Sequence, residues 1–124
     1  MNISESKVLV VDDEIDLAEL VTESFELEGF DVKMALSGDE ALQKCRSEHF
    51  HVILSDNHMP GLCGAELFQA LKKESKSPFL FYLCSGDLDL NRDDFKAEGG
   101  ADLISKPYDL FELIDRIGED LKTL

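Results

Sequence analysis

A chain of 124 residues is long enough for one hydrophobic core and too short for two. Its formal net charge of −15, from 27 acidic against 12 basic side chains, argues against nucleic acid or an anionic membrane as partner, because both are held by Lys and Arg. At 44 % hydrophobic and 31 % charged, the composition is that of a globular domain, and no apolar run is long enough to span a bilayer.

Short apolar runs alternate with segments of helical period along the chain. Lys7–Val11 is a strand-length run that ends in Asp12-Asp13. Over 14–28, Leu17, Ala18, Val21 and Phe25 recur at helical spacing, and Gly29 is placed to stop the helix. Asp31–Ala35 is short and alternating, as an edge strand is. Ser37-Gly38-Asp39-Glu40 has the form of a capping box, and the helix that it opens runs to about Ser47. Residues 51–55 form the next strand, closed by Asp56 ahead of the loop 57–61. Leu67, Phe68 and Leu71, with Gly64 a turn earlier, mark a third helix that ends at Lys72-Lys73. Residues 79–83 lead through Cys84 to Ser85-Gly86. Between Gly86 and Gly99 the apolar residues Leu88, Leu90 and Phe95 are scattered among acids, so a helix there is expected to be the least well anchored. Asp102–Ser105 is a short strand that ends in Lys106-Pro107. Leu110, Leu113, Ile114, Ile117 and Leu121 share one face of a last helix, whose start Asp109 and Glu112 can cap. No secretory leader is visible at the N-terminus, which favours the cytoplasm, and Cys45, Cys63 and Cys84 read as reduced thiols.

Five strand-helix units in succession imply a single α/β domain over 1–124, with its core at about 6–122. Its five-stranded parallel sheet is doubly wound, with helices on both faces and right-handed crossovers. The first, third and fourth strands are nearly all apolar, as strands covered on both faces are. Ligands of such sheets sit beyond the carboxyl ends of the strands, where the winding reverses. Asp12, Asp13, Asp56, Ser85 and Lys106 all fall at those ends.

Three crowded carboxylates repel, which favours a bound cation or a raised pKa on one member. A hard divalent ion such as Mg2+ takes one or two carboxylates, waters and a phosphate oxygen. Asp13 is the expected direct ligand and Asp56 shares the ion. Asp12 serves directly or through water, and the backbone carbonyl of His58 is a further candidate oxygen. Taken alone, Asp12-Asp13-Glu14 would do no more than suit the start of a helix. Asp56 has the placement of a nucleophile able to form an aspartyl phosphate. Lys106 would neutralise charge on the phosphoryl oxygens and Ser85 would donate a hydrogen bond to one of them.

In this order the motifs resemble the receiver domain of two-component response regulators. The resemblance rests on residues 8–14, 56–64, Ser85-Gly86, residues 100–102 and residues 106–113. It implies a flavodoxin-like (βα)5 fold of strand order 2-1-3-4-5 and Mg2+-dependent phosphorylation of Asp56 by the phosphohistidine of a kinase or phosphotransfer protein. It further implies that Ser85 moves toward the phosphoryl group and reshapes a face made by the fourth helix, fifth strand and fifth helix, where a downstream protein docks. With no output region after the last helix, a stand-alone receiver is expected, which catalyses only its own phosphorylation and dephosphorylation and is otherwise no enzyme. Leu103 departs from the pattern, because many relatives carry an aromatic residue three before the lysine. His58 and Asp87 fall at positions that tune phosphate lifetime in the family. An aspartyl-phosphate phosphatase would typically carry a second Asp where His58 stands, and a flavin carrier would need a phosphate-cradling loop after the first strand.

Overall fold

A computed structural model describes residues 1–86 and 90–124 of the chain. After a single turn of 3-10 helix at Ile3–Glu5, strands and helices alternate: β1 (Lys7–Val11), α1 (Ile15–Leu27), β2 (Asp31–Ala35), α2 (Gly38–Ser47), β3 (Val52–Asp56), α3 (Gly64–Glu74), β4 (Leu80–Ser85), α4 (Arg92–Ala97), β5 (Asp102–Ser105) and α5 (Leu110–Leu121). The strands pair in parallel in the order β2-β1-β3-β4-β5. This is the flavodoxin-like order that the resemblance implied.

Alternate residues of each central strand go to opposite faces. Val8, Val10, Val52, Leu54, Tyr82 and Cys84 meet Val21 and Phe25 of α1 and Leu113, Ile114, Ile117 and Leu121 of α5. Leu9, Val11, Ile53, Phe81 and Leu83 meet Ala41 of α2, Leu67, Phe68 and Leu71 of α3, and Phe95 of α4. Strands β1, β3 and β4 are therefore buried on both sides, while β2 alternates between exposed and half-buried positions before Ala35, as an edge should.

Helix boundaries have local causes. Gly29, with φ +93°, ends α1. Ser37 caps α2 by accepting from the Glu40 amide at 3.0 Å, but the Glu40 carboxylate reaches past Ser37 to the Leu36 amide at 3.2 Å. Asp109 caps α5 through the Glu112 amide at 3.1 Å. Helix α4 has six residues and buries one side chain, Phe95, which agrees with the weak pattern there. Leu17 departs from expectation. It is 42 % exposed, because the inward stripe of α1 runs through Ala18, Val21 and Phe25. The expected strands shift as well: Asp56 belongs to β3, and β4 extends to Ser85.

Candidate functional site

The winding reverses at β1, which has β2 on one side and β3 on the other, so the carboxyl ends of β1 and β3 lie side by side. Val11 pairs with Ser55, which sets Asp12 beside Asp56. Carboxylate oxygens of Asp12, Asp13 and Asp56 lie within 4.8 Å of one another, with Asp12 and Asp56 half-buried and Asp13 exposed. Asp12 also serves the start of α1, since its Oδ1 accepts from the Glu14 amide at 2.9 Å. The helix-start role and the cluster thus coexist in one residue.

From the other side comes Lys106, whose Nζ lies 2.9 Å from Asp56 Oδ1. Burial works against its charge, but the hydrogen bond to Asp56 and the fields of Asp56 and Asp12 outweigh this and raise its pKa. The peptide bond from Lys106 to Pro107 is cis. Ser85, 4 % exposed, is held next to this pair by the sheet: Cys84 is the register partner of Asp56, and the Lys106 amide donates to the Ser85 carbonyl at 3.1 Å. His58 lies two residues beyond Asp56 in the loop, and its side chain is exposed. Asp87 lies outside the described residues.

The loop after Asp56 is tightly placed. The Asn57 amide donates to the Cys84 carbonyl at 2.9 Å, and Asn57 Oδ1 accepts from the Ala65 amide at the start of α3 at 3.0 Å. A Cβ on Gly64 would stand 2.6 Å from the Asp56 carbonyl oxygen and 2.5 Å from Leu83 Cδ1, so glycine lets α3 begin against the strand that carries Asp56.

Two groups that sequence reasoning did not single out complete the walls. Cys84 and Tyr108 line the same small cavity as Asp56 and Lys106. Burial pushes the Cys84 thiol up to about 12, which leaves it uncharged and unreactive. Burial, with nearby negative charge, also raises the pKa of Tyr108. Beside Asp12 and Lys106, Leu17 and Leu20 of α1 line an apolar groove with Pro107, Tyr108 and Leu110. Leu17, expected on the inward stripe of α1, instead faces outward with Leu20 three residues on, and that spacing was the signal for this groove.

Among the described residues no helix is long and apolar enough to cross a membrane. The family model described as a response regulator receiver domain matches residues 8–118. A transcriptional regulatory protein, a CpxR homolog of Haemophilus influenzae, is 42 % identical over 112 residues, which cover 90 % of this chain and 48 % of that protein. The chain thus spans about half the length of the curated relatives it matches. Among solved structures, the receiver domain of a Francisella response regulator is 31 % identical with a TM-score of 0.82, covering 95 % of this chain and 98 % of that one. The response regulator TrrA of Thermotoga maritima, in complex with Mg2+-BeF, is 28 % identical with a TM-score of 0.79, covering 92 % and 97 %. With its strand order, its acidic cluster and these likenesses together, the chain belongs to the response regulator receiver domain family.

Proposed function

We propose that this chain takes a phosphoryl group onto Asp56 from the phosphohistidine of a sensor kinase or phosphotransfer protein, in a Mg2+-dependent reaction in the cytoplasm. The observation that carries the reading is the 2.9 Å contact of Lys106 Nζ with Asp56 Oδ1 inside a cluster of three carboxylates. An Asp56 oxygen attacks phosphorus, the bond from phosphorus to the imidazole nitrogen breaks, and its electron pair leaves with the nitrogen. Lys106 follows the charge from carboxylate to phosphoryl oxygen, and the Ser85 hydroxyl donates to a second oxygen.

The donor set fits a hard divalent ion: three carboxylates within 4.8 Å, of which exposed Asp13 leaves room for water. Asp12, Asp13, Asp56 and the His58 carbonyl would hold it, and when bound it supplies positive charge to the phosphoryl oxygens. The groove of Leu17, Leu20, Pro107, Tyr108 and Leu110 offers the phosphodonor an apolar footing next to Asp56. A downstream protein then reads the face made by α4, β5 and α5.

Labelling by acetyl phosphate with Mg2+ tests the reading. Asp56→Asn is expected to abolish it, and undiminished labelling of that variant refutes the acceptor assignment. Failure of the wild type to bind Mg2+ or beryllofluoride would point instead to a docking module without phosphoryl chemistry.

A further inference from the structure

Asp102 opens β5 with a side chain 1 % exposed, and it is the most buried acid among the described residues. Two guanidinium groups close on it from different helices. Arg92, the first residue of α4, sets Nε 2.5 Å from Oδ1 and its second nitrogen 2.8 Å from Oδ2. Arg116 of α5 donates to Oδ2, and the Leu103 amide donates to Oδ1 at 2.8 Å. Arg116 also reaches Asp120 at 3.6 Å, which accepts from the Tyr82 hydroxyl at 2.6 Å. Tyr82 is in turn the register partner of Asp102 across β4 and β5. One polar circuit therefore joins α4, β5, α5 and β4.

Both ends of the Arg92–Asp102 contact lead back to the Asp56 site. Arg92 follows the connection that leaves Ser85, and Asp102 stands four residues before Lys106 on the strand whose Ser105 pairs with Ser85. With only Phe95 buried, α4 has little apolar anchorage, so this fork is a large part of what seats its first turn. The arginine side chains are 57 % and 38 % exposed and can be taken up by water when they let go, whereas the carboxylate cannot.

We propose that Asp102, gripped by Arg92 and Arg116, is a latch that holds α4 in the position accompanying direct contact between Lys106 and Asp56. Releasing it favours the arrangement in which Lys106 has moved from the carboxylate to a phosphoryl oxygen. The latch rests on the phosphoryl-acceptor reading above and adds how that site reaches α4. A bound group shifts the balance only by its differential affinity for the two arrangements, so weakening the latch must show up as tighter binding of a phosphoryl analogue.

The test compares wild type, Arg92→Gln, Arg92→Lys and Arg116→Gln by hydrogen exchange in α4 and by beryllofluoride titration with Mg2+. Arg92→Gln is expected to speed exchange over 92–97 and to tighten beryllofluoride binding roughly fivefold or more. Arg92→Lys, which keeps the charge and loses the fork, should fall between, and Arg116→Gln should act in the same direction. A folded Arg92→Gln with unchanged affinity overturns the latch, even if its melting temperature falls, since that marks an ion pair of structural value only. If the wild type itself does not bind beryllofluoride, the acceptor reading fails. The latch is then judged by exchange alone, and unchanged exchange in α4 of Arg92→Gln overturns it.

Discussion

The Asp12 carboxyl is drawn two ways. Burial raises its pKa and the charges of Asp56 and Asp13 add to this, while the Glu14 amide and Lys106 pull it back. A raised folded-state pKa means that ionised Asp12 destabilises the fold above that pKa, and that the penalty fades as pH falls through it. Asp12→Asn should therefore raise the melting temperature at neutral pH without Mg2+, by an amount that shrinks toward acid, and should weaken Mg2+ binding in a calorimetric titration. Asp102 has the opposite sign. Burial opposes its charge, yet Arg92, Arg116 and the Leu103 amide outweigh that and hold its pKa below the usual carboxylate range. Its stabilisation is complete above the unfolded-state pKa and is lost as pH falls through the folded-state one. In urea titrations at pH 7, Asp102→Asn should cost roughly 1.5–3 kcal/mol, because the arginines left behind are solvated. The double variant Arg92→Gln/Arg116→Gln should cost more, roughly 3–5 kcal/mol, because it strands a buried charge. Leu103, the residue that departs from the family pattern, contributes its backbone amide to this carboxylate, a role that is blind to its side chain.

Element boundaries decide how firmly Asp56 is aimed. Gly64→Ala would gain helix propensity but drive a methyl group into the Asp56 carbonyl and Leu83, and the clash with backbone should win. A net loss of roughly 1–3 kcal/mol in chemical denaturation, with slower acetyl phosphate labelling, is expected. Ser37→Ala should lose about 1 kcal/mol through the α2 cap and leave labelling unchanged, since Ser37 has no contact with the carboxylates. The strand runs and the caps at Ser37 and Asp109 were legible because they depend on neighbours in sequence. The six-residue α4 and its fork to Asp102 were not: Arg92 and Asp102 are ten apart and meet only once β5 is in the sheet, and nothing local separates Arg92 from an ordinary surface cation.

For the whole molecule, the order of apolar and amphipathic segments carried the fold, and strand-end position carried the placement of most candidate site residues, because a parallel sheet forces every carboxyl end to one edge. Cys84, legible only as a reduced thiol, and Tyr108, legible only as part of the 106–113 motif, line the Asp56 pocket because the fold brings β4 and the turn after β5 together. The charge is unevenly placed: from Lys7 to Lys33 no Lys or Arg interrupts nine Asp and Glu. Self-repulsion of this kind is screened by salt, so NaCl should raise the unfolding midpoint modestly. Mg2+ at matched ionic strength should stabilise the fold further, adding about 1.4 kcal/mol to the unfolding free energy for each tenfold excess over its dissociation constant, and Asp13→Ala should erase only the second increment. The chain has no Trp and two Tyr, one buried against Asp120 on the far side of β4 from α4, the other lining the Asp56 pocket. Ultraviolet emission from the unlabelled protein is thus shared by two phenols, of which Tyr108 alone borders the carboxylate cluster, and it offers a built-in optical gauge of events around Asp56 that needs no dye.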